Sequence, residues 1–203
     1  QKTNEELIYL CGHSLGLQPK NVKKFIDNEL NIWENFGVEG HQKESVWFSY
    51  HKRLSPSLAK IVGAKDSEVI AMNSLTANLH FMLLSFYIPN KNRYKIITDA
   101  PCFPSDKYCL DSTIRFHGYD PQDALIKIQT LQDGKLITTE QIVDTIEKNK
   151  NHTCLCVFNT VNYLSGQLFE IARISEVCAK YGIPLGLDLA HAVGNIPLNL
   201  HNW

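Results

Sequence analysis

The sequence predicts an α/β fold: a mostly parallel sheet flanked by helices, preceded by an N-terminal helical segment. Three observations predict it. From residue 64 onward, short apolar runs of strand character alternate with amphipathic helical patterns, the signature of crossover-connected parallel strands. Residues 1–63 carry helical periodicity with no strand pattern between the helices. The 203-residue chain is 44% hydrophobic and 20% charged, which suits an ordinary buried core.

The elements follow in order. Lys20–Phe36 reads as an amphipathic helix, because Val22, Phe25, Ile26, Leu30 and Trp33 recur at helical spacing behind Pro19. Gly37–Tyr50 is loop-like, and Ser55–Val62 is a second helix closed by Gly63. Val69–Met72 then reads as a short strand and Ala77–Tyr87 as an apolar helix. Tyr94–Thr98 is a strand, Ser105–Phe116 a helix, and Leu125–Ile128 a strand. A turn at Asp133-Gly134 leads into the helix Thr139–Asn149. Cys154–Phe158 is a strand, Ile171–Tyr181 a helix, and Ile183–Leu187 a buried strand ending at Asp188. This divides the chain into an N-terminal loop and helical segment (residues 1–63) and a sheet-bearing domain (residues 64–203).

Charge and composition narrow the function. Twenty basic and 21 acidic residues leave a net charge of −1, so no basic field points to nucleic acid and no polybasic run to a membrane surface. The apolar stretches fall short of the roughly 20 residues that a spanning helix needs. Gln1–Glu6 is polar and lacks the apolar core of a signal peptide, so a cytoplasmic location is expected. The six cysteines form no C-x-x-C. Cys154 and Cys156, two apart on a strand, are expected to share a face about 7 Å apart. No His or Asp stands nearby at metal-site spacing, so buried free thiols and no metal are expected. The chain begins with Gln and stops at His201-Asn202-Trp203, and it reads as a piece of a longer protein.

The candidate chemistry gathers at strand ends, where open α/β sheets bind ligands. Asp188 needs a cationic or hydrogen-bonding partner if it is buried, and His191 follows three residues later; the alternative is an Asp that caps a following helix. Asn73–His80 joins a strand to a helix, where backbone N–H groups and hydroxyls make an anion site; the alternative is simple capping by Ser74 or Thr76. Asp99–Asp106 offers Phe103, held between two prolines, as an aromatic platform, or else a hydrophobic staple before a helix capped by Ser105. Val157–Gln167 crowds amides and hydroxyls at a third strand end. No G-x-G-x-x-G or P-loop pattern occurs. Together these features suit a flat, protonatable heteroaromatic ring carrying a phosphate, which describes pyridoxal phosphate.

Four segments then carry a family likeness. Gly12–Pro19, Met72–His80, Phe103–Asp106 and Asp188–Asn195 together resemble kynureninase, a pyridoxal-phosphate-dependent hydrolase of tryptophan catabolism with the aspartate-aminotransferase-like fold. The likeness covers the N-terminal half of a full member. The resemblance implies that the backbone of Leu75 and the side chain of Thr76 hold the phosphate of pyridoxal 5'-phosphate. Within the Phe103, Pro104, Ser105, Asp106 segment, Phe103 would stack on the ring and Asp106 would join the polar network around it. Asp188 would pair with the protonated ring nitrogen, with His191 beside it, and Ser14 and His41 would lie near the substrate. The implied reaction cleaves kynurenine or 3-hydroxykynurenine to anthranilate or 3-hydroxyanthranilate plus alanine, on the way to NAD, in a homodimer.

Two positions depart from the pattern: His13 stands where the family usually has Asn, and Asn159 where it usually has Ser. Asn159 remains an expected cofactor contact through its amide. The family's Schiff-base lysine would follow Trp203 in a Ser-x-Lys segment, so residues 64–203 are expected to be a partial cofactor domain without a catalytic residue. The chain alone is expected to be inactive. Two alternatives stand beside this reading: a truncated paralogue that binds without catalysis, and a cysteine desulfurase or related aminotransferase, from which His191 points away.

Overall fold

A computed structural model describes residues 8–42, 47–130 and 136–203. The expected polar start at Gln1–Glu6 and the expected turn at Asp133-Gly134 lie outside them. The chain forms two compact units. One runs up to Ala71 and takes in Gly194–His201; the other comprises Met72–Val193 and Asn202–Trp203.

In the first unit, α1 (Val22–Phe36) is amphipathic as its spacing predicts, yet none of its residues is buried. Two 3-10 turns (Gly37–His41 and Trp47–Ser49) follow it, and α2 spans Tyr50–Val62. The second helix begins five residues before the expected Ser55. Ser55 does not cap it: its hydroxyl donates to His51 O at 3.0 Å and Val69 O at 2.7 Å, and the helix passes through Pro56. Gly63 ends α2 in the left-handed conformation, with φ +64°. The returning segment hydrogen-bonds directly to that helix end, Leu200 N–H to Val62 O and His201 N–H to Gly63 O. Val69–Met72 is not a strand; it has no ladder partner among the described residues, and a four-residue apolar run cannot satisfy its own backbone.

The second unit holds a four-stranded, all-parallel sheet in the order β2-β1-β3-β4, built from β1 (Lys95–Asp99), β2 (Leu125–Ile128), β3 (Thr153–Asn159) and β4 (Leu185–Asp188). Its helices are α3 (Leu75–Phe86), α4 (Pro104–Phe116), the short α5 (Pro121–Ala124), α6 (Thr139–Asn149) and α7 (Ile171–Lys180). Successive strand side chains point to opposite faces, and each face has its own core. Ile96, Leu155 and Val157 pack with Leu83 and Tyr87 of the α3 end and Leu110 and Ile114 of α4. Ile97, Cys156 and Phe158 pack with Ile142 and Ile146 of α6 and Ile171 and Ile174 of α7. A capping box starts α6: Thr138 Oγ1 accepts from Gln141 N–H at 3.1 Å, and Gln141 Oε1 accepts from Thr138 N–H at 2.8 Å.

Cys154 and Cys156 do not share a face. Lys95 pairs with Thr153 and Ile96 with Leu155, which leaves Cys154 as the extra residue of a bulge. Cys154 therefore joins the α3–α4 core, while Cys156 enters the other core beside Cys178. All six cysteines are free thiols.

Candidate functional site

The order β2-β1-β3-β4 places the topological switch point between β1 and β3, and ligands of such sheets lie outside the carboxyl ends at that point. The last residues of β1, β3 and β4 are Asp99, Asn159 and Asp188, and Asn159 pairs in register with Asp188. Asp99 is 0% exposed. Its Oδ1 accepts from Asn159 N–H at 3.0 Å and Asn159 Nδ2 at 3.2 Å; its Oδ2 accepts from Asn159 Nδ2 at 3.2 Å and Asn162 Nδ2 at 3.1 Å. Every one of these donors is a neutral amide. Burial holds the Asp99 carboxyl above the usual carboxylate range even though the Asn159 and Asn162 hydrogen bonds pull it down.

Asp106 sits in the first turn of α4, where the helix dipole favours a negative charge, and is 2% exposed. Burial dominates nonetheless: the carboxyl is pushed up to about 7, first by desolvation, then by its hydrogen bond with Asp188 and that residue's charge. The nearby charge of Asp99 adds to the push, while Ser105 Oγ, donating to Asp106 Oδ1 at 3.4 Å, opposes it. Asp188 Oδ1 accepts from Ala190 N–H at 2.7 Å and closes a turn; it caps no helix, since the residues after β4 fold into turns. Cys102 feels the same surroundings, its thiol driven up to about 12 by burial and by the charges of Asp106 and Asp99.

Phe103, not Ser105, is the N-cap residue of α4, with Pro104 in the first helical position, where its missing N–H costs nothing. The Phe103 ring is 41% exposed and meets Tyr163 edge to face, with centroids 5.1 Å apart and planes at 82°. Leu75 and Thr76 open α3; both are exposed, and the N-cap Ser74 makes no side-chain capping bond. The first-turn N–H groups of α3 are therefore not taken by Ser74, the condition an anion site needs. His191 lies half-buried in the turns after Asp188.

All nine of the expected cofactor residues belong to the second unit, and contacts join Ser105, Asp106 and Asp188 in one cluster and Asn159 to Asp99 in its neighbour. Ser14 and His41 belong to the first unit. Ser14 is exposed in a turn, its N–H donating to Cys11 O at 3.0 Å. His41 packs against Trp47 and Phe48, each at 5.0 Å, and lines a cavity of about 580 Å³ with Glu29, Trp33 and Trp47. Asn159 differs from the expectation in where its amide points: the carboxamide donates to Asp99. Beside these residues stand Asp99, Asn162 and Tyr163, to which the resemblance gives no role. Asp99 carries the same strand-end signal as Asp188, an acid closing an apolar run, and that rule alone would have found it.

Chemically, the arrangement offers an uncapped helix start for an anion, an exposed aromatic face, and two mutually repelling carboxyls that a basic nitrogen would relieve. The family model of class-V aminotransferases matches residues 8–203, and the chain belongs to that family. Among curated relatives, it is 45% identical to a kynureninase from Flavobacterium psychrophilum over 204 residues, covering 100% of this chain and 48% of the relative. It is 43% identical to a kynureninase from Myxococcus xanthus, covering 97% and 46%. A kynureninase from Nematostella vectensis is likewise 43% identical, with coverages of 98% and 43%. The chain thus spans about half the length of these relatives. Of solved structures, a C-DES mutant with glycine covalently linked to its PLP cofactor superposes with a TM-score of 0.73 at 14% identity, covering 93% of this chain and 48% of that one. An apo cysteine desulfurase from Thermococcus onnurineus gives 0.65 at 19% identity, covering 89% and 43%. These likenesses establish the fold.

Proposed function

We propose that this chain is the cofactor-anchoring half of a kynureninase, a pyridoxal-phosphate-dependent hydrolase that splits kynurenine or 3-hydroxykynurenine into anthranilate or 3-hydroxyanthranilate and alanine. The observation that carries this reading is similarity to kynureninases along essentially the whole chain at 42–46% identity. The site residues fit the cofactor's chemistry: an anion-ready helix start for the phosphate, Phe103 for the ring face, and a carboxylate pair for the ring nitrogen.

When bound, the cofactor supplies an electron sink for charge developing next to its ring. The chain's own residues keep that sink effective. Asp188 holds a proton at the ring nitrogen, because a carboxylate beside it favours the cationic form. Asp106, buried against Asp188, and His191 keep the carboxylate in place. Leu75 N–H and Thr76 fix the phosphate at the start of α3, Phe103 fixes the tilt of the ring, and Ser14 and His41 serve the substrate. The same reading carries a cytoplasmic homodimer within tryptophan catabolism and NAD formation. Among the described residues, no helix is long and apolar enough to cross a membrane.

The test uses the full-length protein. Purified with pyridoxal 5'-phosphate, it is expected to release anthranilate from kynurenine. Asp188→Ala is expected to lower turnover at least 100-fold, on the order of the loss from removing one strong electrostatic group, while a folded circular-dichroism spectrum is retained. Absence of anthranilate release by the unaltered protein, or sulfide release from cysteine instead, overturns the reading. Near-normal turnover by Asp188→Ala removes the role given to that residue.

A further inference from the structure

We infer that Asn162 and Tyr163 are positioning residues that set the orientation of Phe103. The inference rests on the reading above, in which Phe103 presents its face to the cofactor ring. The Phe103 side chain, 41% exposed, is not fixed by the core. What fixes it is Tyr163, whose ring meets it edge to face at 5.1 Å. That geometry aligns the positive edge of one ring with the negative face of the other and so selects a ring plane rather than merely filling space.

Tyr163 can act this way because its own backbone is held. Its neighbour Asn162 is 4% exposed and has both ends of its carboxamide engaged. Nδ2 donates to Asp99 Oδ2 at 3.1 Å and to Pro101 O at 3.4 Å. Oδ1 accepts from Leu164 N–H at 3.0 Å, Ser165 N–H at 3.1 Å and Ser165 Oγ at 3.2 Å. The Asn162 backbone closes the same turn, its N–H donating to Gln167 O and its carbonyl accepting from Gly166 N–H, each at 2.9 Å. One carboxamide thus ties the turn after β3 to the loop after β1, two residues before Phe103. The backbone that carries Phe103 and the ring that abuts it are anchored at the same point.

The experiment measures pyridoxal 5'-phosphate binding to the full-length protein, by titration and by the induced circular dichroism of the bound cofactor. Tyr163→Leu is expected to weaken binding by up to about 10-fold, the most that an edge-to-face pair can supply, and to alter the induced band. Tyr163→Phe is expected to match the unaltered protein. In a Phe103→Leu background, Tyr163→Leu is expected to have no further effect, because its action passes through Phe103. Asn162→Ala is expected to change the induced band in the same sense as Tyr163→Leu; should it fail to fold, the Tyr163 variants and the cycle decide alone. Unchanged affinity and dichroism in Tyr163→Leu, or full additivity with Phe103→Leu, overturns the inference. Failure of the unaltered protein to bind the cofactor sinks the functional reading instead.

Discussion

The pairing of Asp106 with Asp188 makes a quantitative prediction about cofactor-free protein. Asp106 is almost fully buried, and its carboxyl sits at about 7 against an ordinary value of 3.8. The groups facing it are Asp188 and Asp99, both acids, and the Ser105 hydroxyl. Because its affinity for a proton is higher folded than unfolded, its contribution to stability is complete below pH 3.8 and is lost as pH rises to about 7. At ~1.4 kcal/mol per tenfold change in proton affinity, the loss is about 4 kcal/mol. Asp106→Asn keeps a donor for Asp188 and removes the titrating charge. We predict that the variant equals the unaltered protein near pH 4, gains on it steadily through pH 7, and is about 4 kcal/mol more stable at pH 8. Urea denaturation of the cofactor-free full-length protein at half-unit pH steps measures the difference directly. Parallel stability curves for the two proteins across that range would refute this account of Asp106.

Two further outcomes follow from the same geometry. Asn159→Ala removes the carboxamide that donates to both oxygens of Asp99 and leaves the backbone N–H in place, so a destabilisation of ~1.5–3 kcal/mol at neutral pH is expected by urea denaturation; a change below about 0.5 kcal/mol would show that Asp99 does not depend on it. Gly63→Ala is expected to cost more than ~1–2 kcal/mol, because the residue has φ +64° and an added Cβ would meet the Leu198 carbonyl and lie 2.8 Å from Asn199 Cα. Gly63→Asn separates the two causes. Asn tolerates the left-handed conformation but carries the same Cβ, so a melting temperature restored by Asn would refute the steric argument.

Much of this architecture was legible from periodicity. Thr139–Asn149 was placed correctly because a capping box and a clean apolar stripe agree there, and Leu125–Ile128 because both flanks are punctuated. The errors each trace to a tertiary cause. Val69–Met72 has strand chemistry, but a strand exists only where another chain segment completes its ladder. The bulge at Cys154 is invisible locally, since it arises from how Lys95 and Ile96 align with β3. The sequence opens α2 at Ser55, five residues late, and only the hydrogen bond from the Ser55 hydroxyl to Val69 O shows that this serine has another use. In the candidate site, Asp188 and Asp99 are both legible as strand-end acids, but the amide partners of Asp99 lie 60 and 63 residues away and nothing local signals them.

The electrostatics of the three acids bear on Asn159, which stands where the resemblance leads one to expect serine. Asp99 and Asp106 both sit above the usual carboxylate range, and their nearest partners supply hydrogen bonds but no positive charge. A serine at position 159 would offer one short hydroxyl; the asparagine carboxamide spans both oxygens of Asp99. The Asn159 and Asn162 amides pull the Asp99 carboxyl down against the effect of burial, and they do so without introducing a cation that would compete for Asp188. The negative potential at the end of β4 is then preserved for a positively charged ligand group. On the proposed reading that group is the protonated ring nitrogen, which would take its place beside Asp188 where Asp106 is the neighbour in the cofactor-free protein. On the same reading, Asn159 serves the cofactor through the hydrogen bonds it gives Asp99.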